Sequence, residues 1–157
     1  MAERNSLEAG GACSIARSLT VLGQRWTLLV VREALRGSTK FGEFQEALRI
    51  STDVLAQRLE SLVDAGVLEK RPYRDKGARE RQAYHVTEAG LELVPVLAAL
   101  MSWGDKHLAG DEGPPAFMRH RRTNQPVRVA IIDADGRPVA PEDVVTIAGP
   151  GSPATQT

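Results

Sequence analysis

A mainly α-helical fold with a small β component (α+β) is predicted by three observations. A short helix, a tight turn and a longer capped helix fall between Ser38 and Gly66. Two strands joined by a basic loop follow at once, from Val67 to Val86, and a long apolar helix comes after them. That order has the spacing of a winged helix-turn-helix, here with an N-terminal helix, a long C-terminal helix and a small C-terminal β-hairpin extension.

Taken in order, residues 1–11 are small and polar, end in Gly10-Gly11, and are expected to form a flexible arm. Ile15, Ala16, Leu19 and Leu22 recur at helical spacing, and Gly23 ends that helix. Trp26, Leu28, Leu29, Val30, Val31 and Leu35 form a second helix, stopped by Gly37; a helix apolar nearly all round belongs in the centre of a domain. Ser38 and Thr39 are expected to cap a third helix carrying Phe41, Phe44, Ala47 and Leu48.

Arg49-Ile50 then turns the chain into a helix capped by Ser51, with Leu55, Leu59, Leu62 and Val63 inward, ended by Gly66. Val67–Tyr73 and Gln82–Val86 read as the two strands, around Asp75-Lys76-Gly77. Thr87 caps a long helix carrying Leu91, Val94, Leu97, Ala98, Met101 and Leu108, which is expected to bend where Pro95 removes a backbone donor. The winged and dimerisation domain is thus placed at 12–109, a linker at 110–116, a metal-free hairpin extension at 117–148 and a disordered tail at 149–157.

With 157 residues, 42 % hydrophobic and 25 % charged, the chain has the composition of a folded domain. No run approaches the roughly 18 apolar residues of a membrane span, and the N-terminus lacks a signal-like apolar stretch, so a cytoplasmic protein with no membrane partner is expected. A single cysteine, Cys13, excludes an intrachain disulfide, and adding His85, His107 and His120 gives no metal-ligand spacing. Neither a metal nor another cofactor is expected. No phosphate-cradling glycine loop follows a strand and no nucleophile elbow occurs, which argues against an enzyme.

The net charge is zero, so any nucleic-acid signal must lie in how charge is distributed. Between Lys70 and Arg81 stand six cations (Lys70, Arg71, Arg74, Lys76, Arg79, Arg81) against Asp75 and Glu80, an excess of +4. Phosphate is the matching counter-charge, because cations placed against DNA release condensed counterions. The plainer reading is a solvated hairpin. Position favours the first: Arg74, Lys76, Arg79 and Arg81 would flank the solvent face of the capped helix as a wing. On that helix Ser51 and Thr52 offer hydroxyls, while Gln57 and Arg58 are the types that pair bidentately with adenine and guanine. Asp53 either accepts from cytosine or favours the helix N-terminus.

Several short motifs occur together in fixed order: Cys13; Gly23-Gln24-Arg25-Trp26-Thr27; Phe41-Gly42-Glu43-Phe44; Ile50-Ser51-Thr52-Asp53-Val54-Leu55-Ala56-Gln57-Arg58-Leu59; Asp64-Ala65-Gly66-Val67-Leu68; Tyr84-His85-Val86-Thr87-Glu88-Ala89-Gly90; and Trp103-Gly104. With them the chain resembles the HxlR-type winged helix-turn-helix transcriptional regulators from about Cys13 to Gly104. The resemblance implies a homodimer, built from the N-terminal and long C-terminal helices, on pseudo-palindromic double-stranded operator DNA. Ile15, Leu19, Leu97, Met101 and Trp103 are the interface candidates, since the long helix has more apolar surface than its own domain can bury. Half-sites would then lie about 34–36 Å, or a multiple, apart. The family commonly has a basic residue where Asp53 stands, so no operator preference carries over.

In several members of this family a cysteine placed like Cys13 senses oxidants or electrophiles. That makes Cys13 a candidate redox sensor, with Arg17 four residues on as a possible thiolate partner; a small apolar interface residue is the preferred reading. Trp26 and Trp103 are read as core and interface residues. A small-molecule effector is left open, with its pocket expected between the long helix and the winged domain. Some members carry a cysteine-rich, zinc-ribbon-like tail, which the stretch from Arg119-His120-Arg121 to Asp135-Gly136 resembles without its cysteines. A metal-free hairpin of two strands, Val127–Ile132 and Val144–Ile147 around Asp133–Gly136, held by packing of Val129, Ile131, Val145 and Ile147, is expected there, with Arg119, Arg121 and Arg122 solvated. A repressor is expected by analogy; the rival is a winged helix used for protein contact without specific DNA binding.

Overall fold

The computed structural model describes residues 13–77 and 79–150. The expected arm at 1–11 and most of the expected tail lie outside the described residues. The chain forms two compact units, one ending at Leu93 and one beginning at Val94.

The first unit is α1 (Ser14–Leu22), α2 (Thr27–Leu35), α3 (Phe41–Leu48), α4 (Thr52–Asp64), β1 (Leu68–Tyr73), β2 (Arg81–Val86) and α5 (Glu88–Leu91). This is the helix-turn-helix with hairpin that the residue pattern predicts. As its apolar composition demands, α2 is central: it packs against α3, α4 and β2 and buries Val30, Val31 and Ala34. Around it close Phe44 and Leu48 of α3, Leu55, Leu59 and Leu62 of α4, and Leu68 of β1. The Phe44 ring meets Tyr84 of β2 edge-on at 6.4 Å, joining the helical layer to the hairpin. Glu33, nearly buried on α2, is neutralised by Arg32 (2.7 Å) and Arg36 (3.2 Å).

Two local devices fix the chain path. Gly37 takes φ +108° and lets the chain leave α2 in a conformation side chains resist. At Gly90 a Cβ would stand 2.4 Å from the Val67 carbonyl oxygen, so only glycine admits this approach of α5 to the start of the hairpin. The Thr87 hydroxyl completes that junction, accepting from the Gly90 amide at 3.1 Å and donating to the Gly66 carbonyl at 2.6 Å.

The second unit holds α6 (Val94–His107), β3 (Ile131–Ile132), β4 (Pro138–Val139) and a 3-10 turn at Pro141–Asp143. β3 and β4 pair antiparallel, Ile131 with Val139. A further turn closes at 118–127, where the Val127 amide donates to the Met118 carbonyl at 3.1 Å and Asn124 adopts φ +55°. The His120 Nδ1 accepts from the Thr123 amide (3.2 Å), and Asp133 Oδ1 accepts from the Asp135 and Arg137 amides (both 2.9 Å). Side-chain acceptors thus close both turns. No helix among the described residues is long and apolar enough to cross a membrane, and none of their His, Cys, Asp or Glu residues cluster to hold a metal ion.

Three local expectations are corrected. The α3 N-terminus is capped from inside the helix: the Glu43 carboxylate accepts from the Thr39 and Lys40 amides at 2.7 and 2.9 Å, replacing the hydroxyls of Ser38 and Thr39. The long helix is not merely bent but broken at Glu92-Leu93 into α5 and α6, because Pro95, second residue of α6, has no amide to continue the ladder. The second strand of the extension is Pro138–Val139, not Val144–Ile147: the turn at Asp133–Arg137 reverses the chain at once and places Val139 opposite Ile131. Val145 and Ile147 stay 78 % and 82 % exposed, so they do not hold the hairpin by packing.

Candidate nucleic-acid interface

The turn between α3 and α4 is made by Arg49 in the left-handed region (φ +51°, ψ +40°), its amide donating to the Gln45 carbonyl at 2.8 Å. For a residue with a Cβ this conformation costs about 1 kcal/mol. Ile50, buried, pins the turn from below. Ser51 then caps α4, accepting from the Val54 amide at 3.4 Å. With Leu55, Leu59 and Leu62 fully buried, the opposite face is fixed outward, and Ser51, Thr52, Asp53 and Gln57 are exposed while Arg58 is half-buried.

Two side-chain contacts order this face. Gln45 of α3 donates through Nε2 to the Thr52 hydroxyl at 3.0 Å, and Arg58 donates to Gln57 Oε1 at 2.6 Å. The Gln57 amide nitrogen and the remaining Arg58 nitrogens are left as donors, a chemistry suited to base acceptors in a major groove.

β1 and β2 pair antiparallel in the register Leu68↔Val86 to Tyr73↔Arg81, so the basic stretch forms the tip of a two-stranded ribbon, with Gly77 at φ +78°. Its six cations are not equivalent. Lys70 is held by Glu60 of α4 at 2.7 Å, Arg71 by Glu69, and Arg74 lies 3.9 Å from Glu80. The hydrogen bond to Glu60 raises the Lys70 pKa. Among the described residues Lys76, Arg79 and Arg81 have no ion-pair partner. Three of the four predicted wing residues therefore keep a free charge.

Lys40, at the α3 N-terminus, went unnoticed in the sequence. Its ammonium bonds Asp75 of the wing loop at 2.9 Å and lies 4.7 Å from the Tyr73 ring centroid, and its backbone bridges to Ala83 of β2. The Asp75 hydrogen bond, the largest influence, raises the Lys40 pKa. Lys40 thus ties the wing tip to the helix-turn-helix. Only the order of basic and acidic residues could have hinted at this, because the partners stand 35 residues apart.

Of the remaining predicted residues, Cys13 is exposed at the start of α1, and the Arg17 guanidinium donates to the Ser14 hydroxyl at 3.1 Å. Ile15 and Leu19 are 71 % and 53 % exposed. On α6, Trp103 is exposed whereas Leu97 and Met101 are half-buried. The exposed stripe is Val96, Leu100, Trp103 and His107, a repeat of four, three and four residues, with the Trp103 and His107 rings 5.2 Å apart.

The chain matches the HxlR-like helix-turn-helix family over residues 21–112. It is 37 % identical over 139 residues to Rv3095 of Mycobacterium tuberculosis, an uncharacterized HTH-type transcriptional regulator, covering 88 % of this chain and 87 % of that one. Among solved structures it is similar to PA1607, a candidate transcription factor (TM-score 0.77, 36 % identity, 87 % of this chain and 95 % of that one). It is also similar to PA1374 of Pseudomonas aeruginosa, likewise a candidate transcription factor (TM-score 0.64, 38 % identity, 89 % and 94 % covered). The match in sequence extends over a helix-turn-helix and wing of the geometry just described, and the chain belongs to the HxlR-like helix-turn-helix family of transcriptional regulators.

Proposed function

We propose that the chain is a sequence-specific regulator that binds double-stranded DNA as a homodimer, with α4 in the major groove and the β1–β2 tip on the flanking backbone. The observation that carries this reading is the trio Lys76, Arg79 and Arg81, without ion-pair partners among the described residues, on a ribbon anchored to α3 by Lys40 and to α4 through Lys70 and Glu60. A merely solvated hairpin would not need its tip fixed in place while its charges stay free. Thr52, Gln57 and Arg58 are assigned to base edges, Ser51 to the α4 start, and Arg74 to a weaker phosphate contact.

The homodimer is supported by the exposed apolar faces of Ile15 and Leu19 on α1 and of Val96, Leu100 and Trp103 on α6. Two-fold symmetry then makes the operator pseudo-palindromic. Repression is the mode assigned, on analogy with small dimeric regulators of this architecture. Cys13, exposed, is assigned as the site through which an oxidant would act if the regulator is redox-controlled.

The test is fluorescence anisotropy of the reduced protein on its own upstream DNA against scrambled competitor at several salt concentrations. Specific binding with a steep salt slope is expected. Replacing Arg79 and Arg81 together by glutamine should flatten the log–log slope by about 2 per subunit, roughly 0.9 for each phosphate no longer neutralised. An unchanged slope removes the wing from the interface, and no binding even at low salt favours the protein-contact reading. Loss of binding on mild oxidation that disappears in Cys13→Ser would make Cys13 the switch.

A further inference from the structure

The second unit contains an open groove of about 880 Å³ between α6 and the segment 114–130. That volume lies within the range of roughly 300–1,000 Å³ common for small-molecule sites. Its walls are apolar, built from Val94, Ala98 and Met101 on one side and Phe117, Val127 and Val129 on the other. Phe117, a costly residue to leave in water, is 74 % exposed there. The charged groups at the groove are Lys106, Arg119 and Arg128 against Asp105 alone. The Arg119 guanidinium is held in place by the Asn124 carbonyl at 2.9 Å with donors to spare, and Lys106 and Arg128 have no ion-pair partner among the described residues.

We infer that this groove binds an amphipathic organic anion: an aromatic or branched alkyl body between Met101 and Phe117, with a carboxylate or sulfonate facing Arg119 and Arg128. An apolar cleft suits the body, and the excess of cations suits an anion, to which a guanidinium makes charge-assisted hydrogen bonds that a neutral ligand cannot match. The position also gives such a ligand leverage. Val94, Ala98, Met101 and Asp105 form the groove face of α6 at the same four-three-four spacing as Val96, Leu100, Trp103 and His107 on its opposite face. Filling the groove would therefore load the helix whose other side is assigned to subunit pairing. That regulatory consequence rests on the DNA-binding reading above, whereas the binding site itself does not.

The probes are two dyes with one skeleton: anilinonaphthalene sulfonate, which carries the anion, and uncharged phenylnaphthylamine. Titrated by fluorescence into the full chain, the sulfonate should bind saturably, one per subunit, and about tenfold more tightly than the neutral dye, the advantage of a charge-assisted contact. Arg128→Gln, at an exposed position that the fold does not need, should remove most of that advantage and leave the neutral dye unchanged. Ala98→Trp, which fills the groove, should abolish both. Equal binding of the two dyes overturns the anion assignment, and sulfonate binding that survives Ala98→Trp overturns the site. Anisotropy on operator DNA is then repeated with the sulfonate present. Weakened DNA binding is expected; DNA binding untouched by a bound dye overturns the regulatory consequence. Absence of any DNA binding would instead overturn the regulator reading and leave the dye result standing.

Discussion

The two units of this chain bury their apolar residues to very different degrees. In the first, Val30, Val31, Phe44, Leu55, Leu59 and Leu62 have no exposed surface at all. In the second no described residue is buried, and Leu100, Trp103, Phe117, Val145 and Ile147 are each more than half exposed. The first unit therefore carries its own stabilising core, each such side chain contributing about 1.5–3 kcal/mol. The second is held mainly by helical hydrogen bonds and side-chain-closed turns, and its apolar surface stays exposed. On the proposed function the first unit is the rigid reading head and the second supplies surfaces whose burial depends on association.

This contrast is tested most directly in the core. Phe44→Ala removes a fully buried ring and its edge contact with Tyr84, and should cost about 3–5 kcal/mol in urea unfolding. A loss below about 1 kcal/mol would mean that the first unit is not the stable one.

Next in size is the exposed stripe of α6. Changing Leu100 and Trp103 together to serine should leave the far-ultraviolet dichroism nearly unchanged but raise the dimer dissociation constant by about 100-fold, as two buried anchors are removed. Sedimentation velocity at falling concentration reads this, and an unaltered dimer would move the interface elsewhere.

Glu43→Ala tests the capping carboxylate and should destabilise the first unit by about 1 kcal/mol, as for other helix N-terminal caps. Its pKa is lowered by the hydrogen bonds from the Lys40 and Thr39 amides. A depressed carboxylate stabilises the fold above its unfolded-state pKa, and the contribution is lost as pH falls through the folded-state value. The wild-type advantage over Glu43→Ala should therefore be full near neutrality and vanish in acid; a difference independent of pH would assign the effect to helix propensity instead.

The smallest effect is expected at Ile147, 82 % exposed, where Ile147→Ala should change stability by less than about 0.5 kcal/mol in dilute protein. A larger cost that grows with protein concentration would show that the second unit completes its core only in the assembly.

Much of the first unit was legible because its signals are local. The periodicity of Leu55, Leu59 and Leu62, the cap at Ser51 and the basic run around Gly77 all act within a few residues, and the helix-turn-helix and ribbon lie where they place them. The second unit was read less well. Val144–Ile147 has the composition of a strand, yet a strand exists only where a partner is in register, and the turn at Asp133 gave that register to Pro138–Val139. Pro95 predicts a bend in the long helix, whereas the structure breaks it at Glu92-Leu93 into α5 and α6.

The amino-acid sequence by itself determined the family, the order of elements and the concentration of charge at one hairpin, since these depend on residue types and short spacings. Tertiary structure alone decided which of those charges remain free. Glu60 takes Lys70 and Lys40 takes Asp75, pairs separated by 10 and 35 residues, and among the described residues Lys76, Arg79 and Arg81 are left without an ion-pair partner. It likewise set the two faces of α6, because which side of a helix stays uncovered depends on what the rest of the chain packs against it, here the groove wall at 114–130.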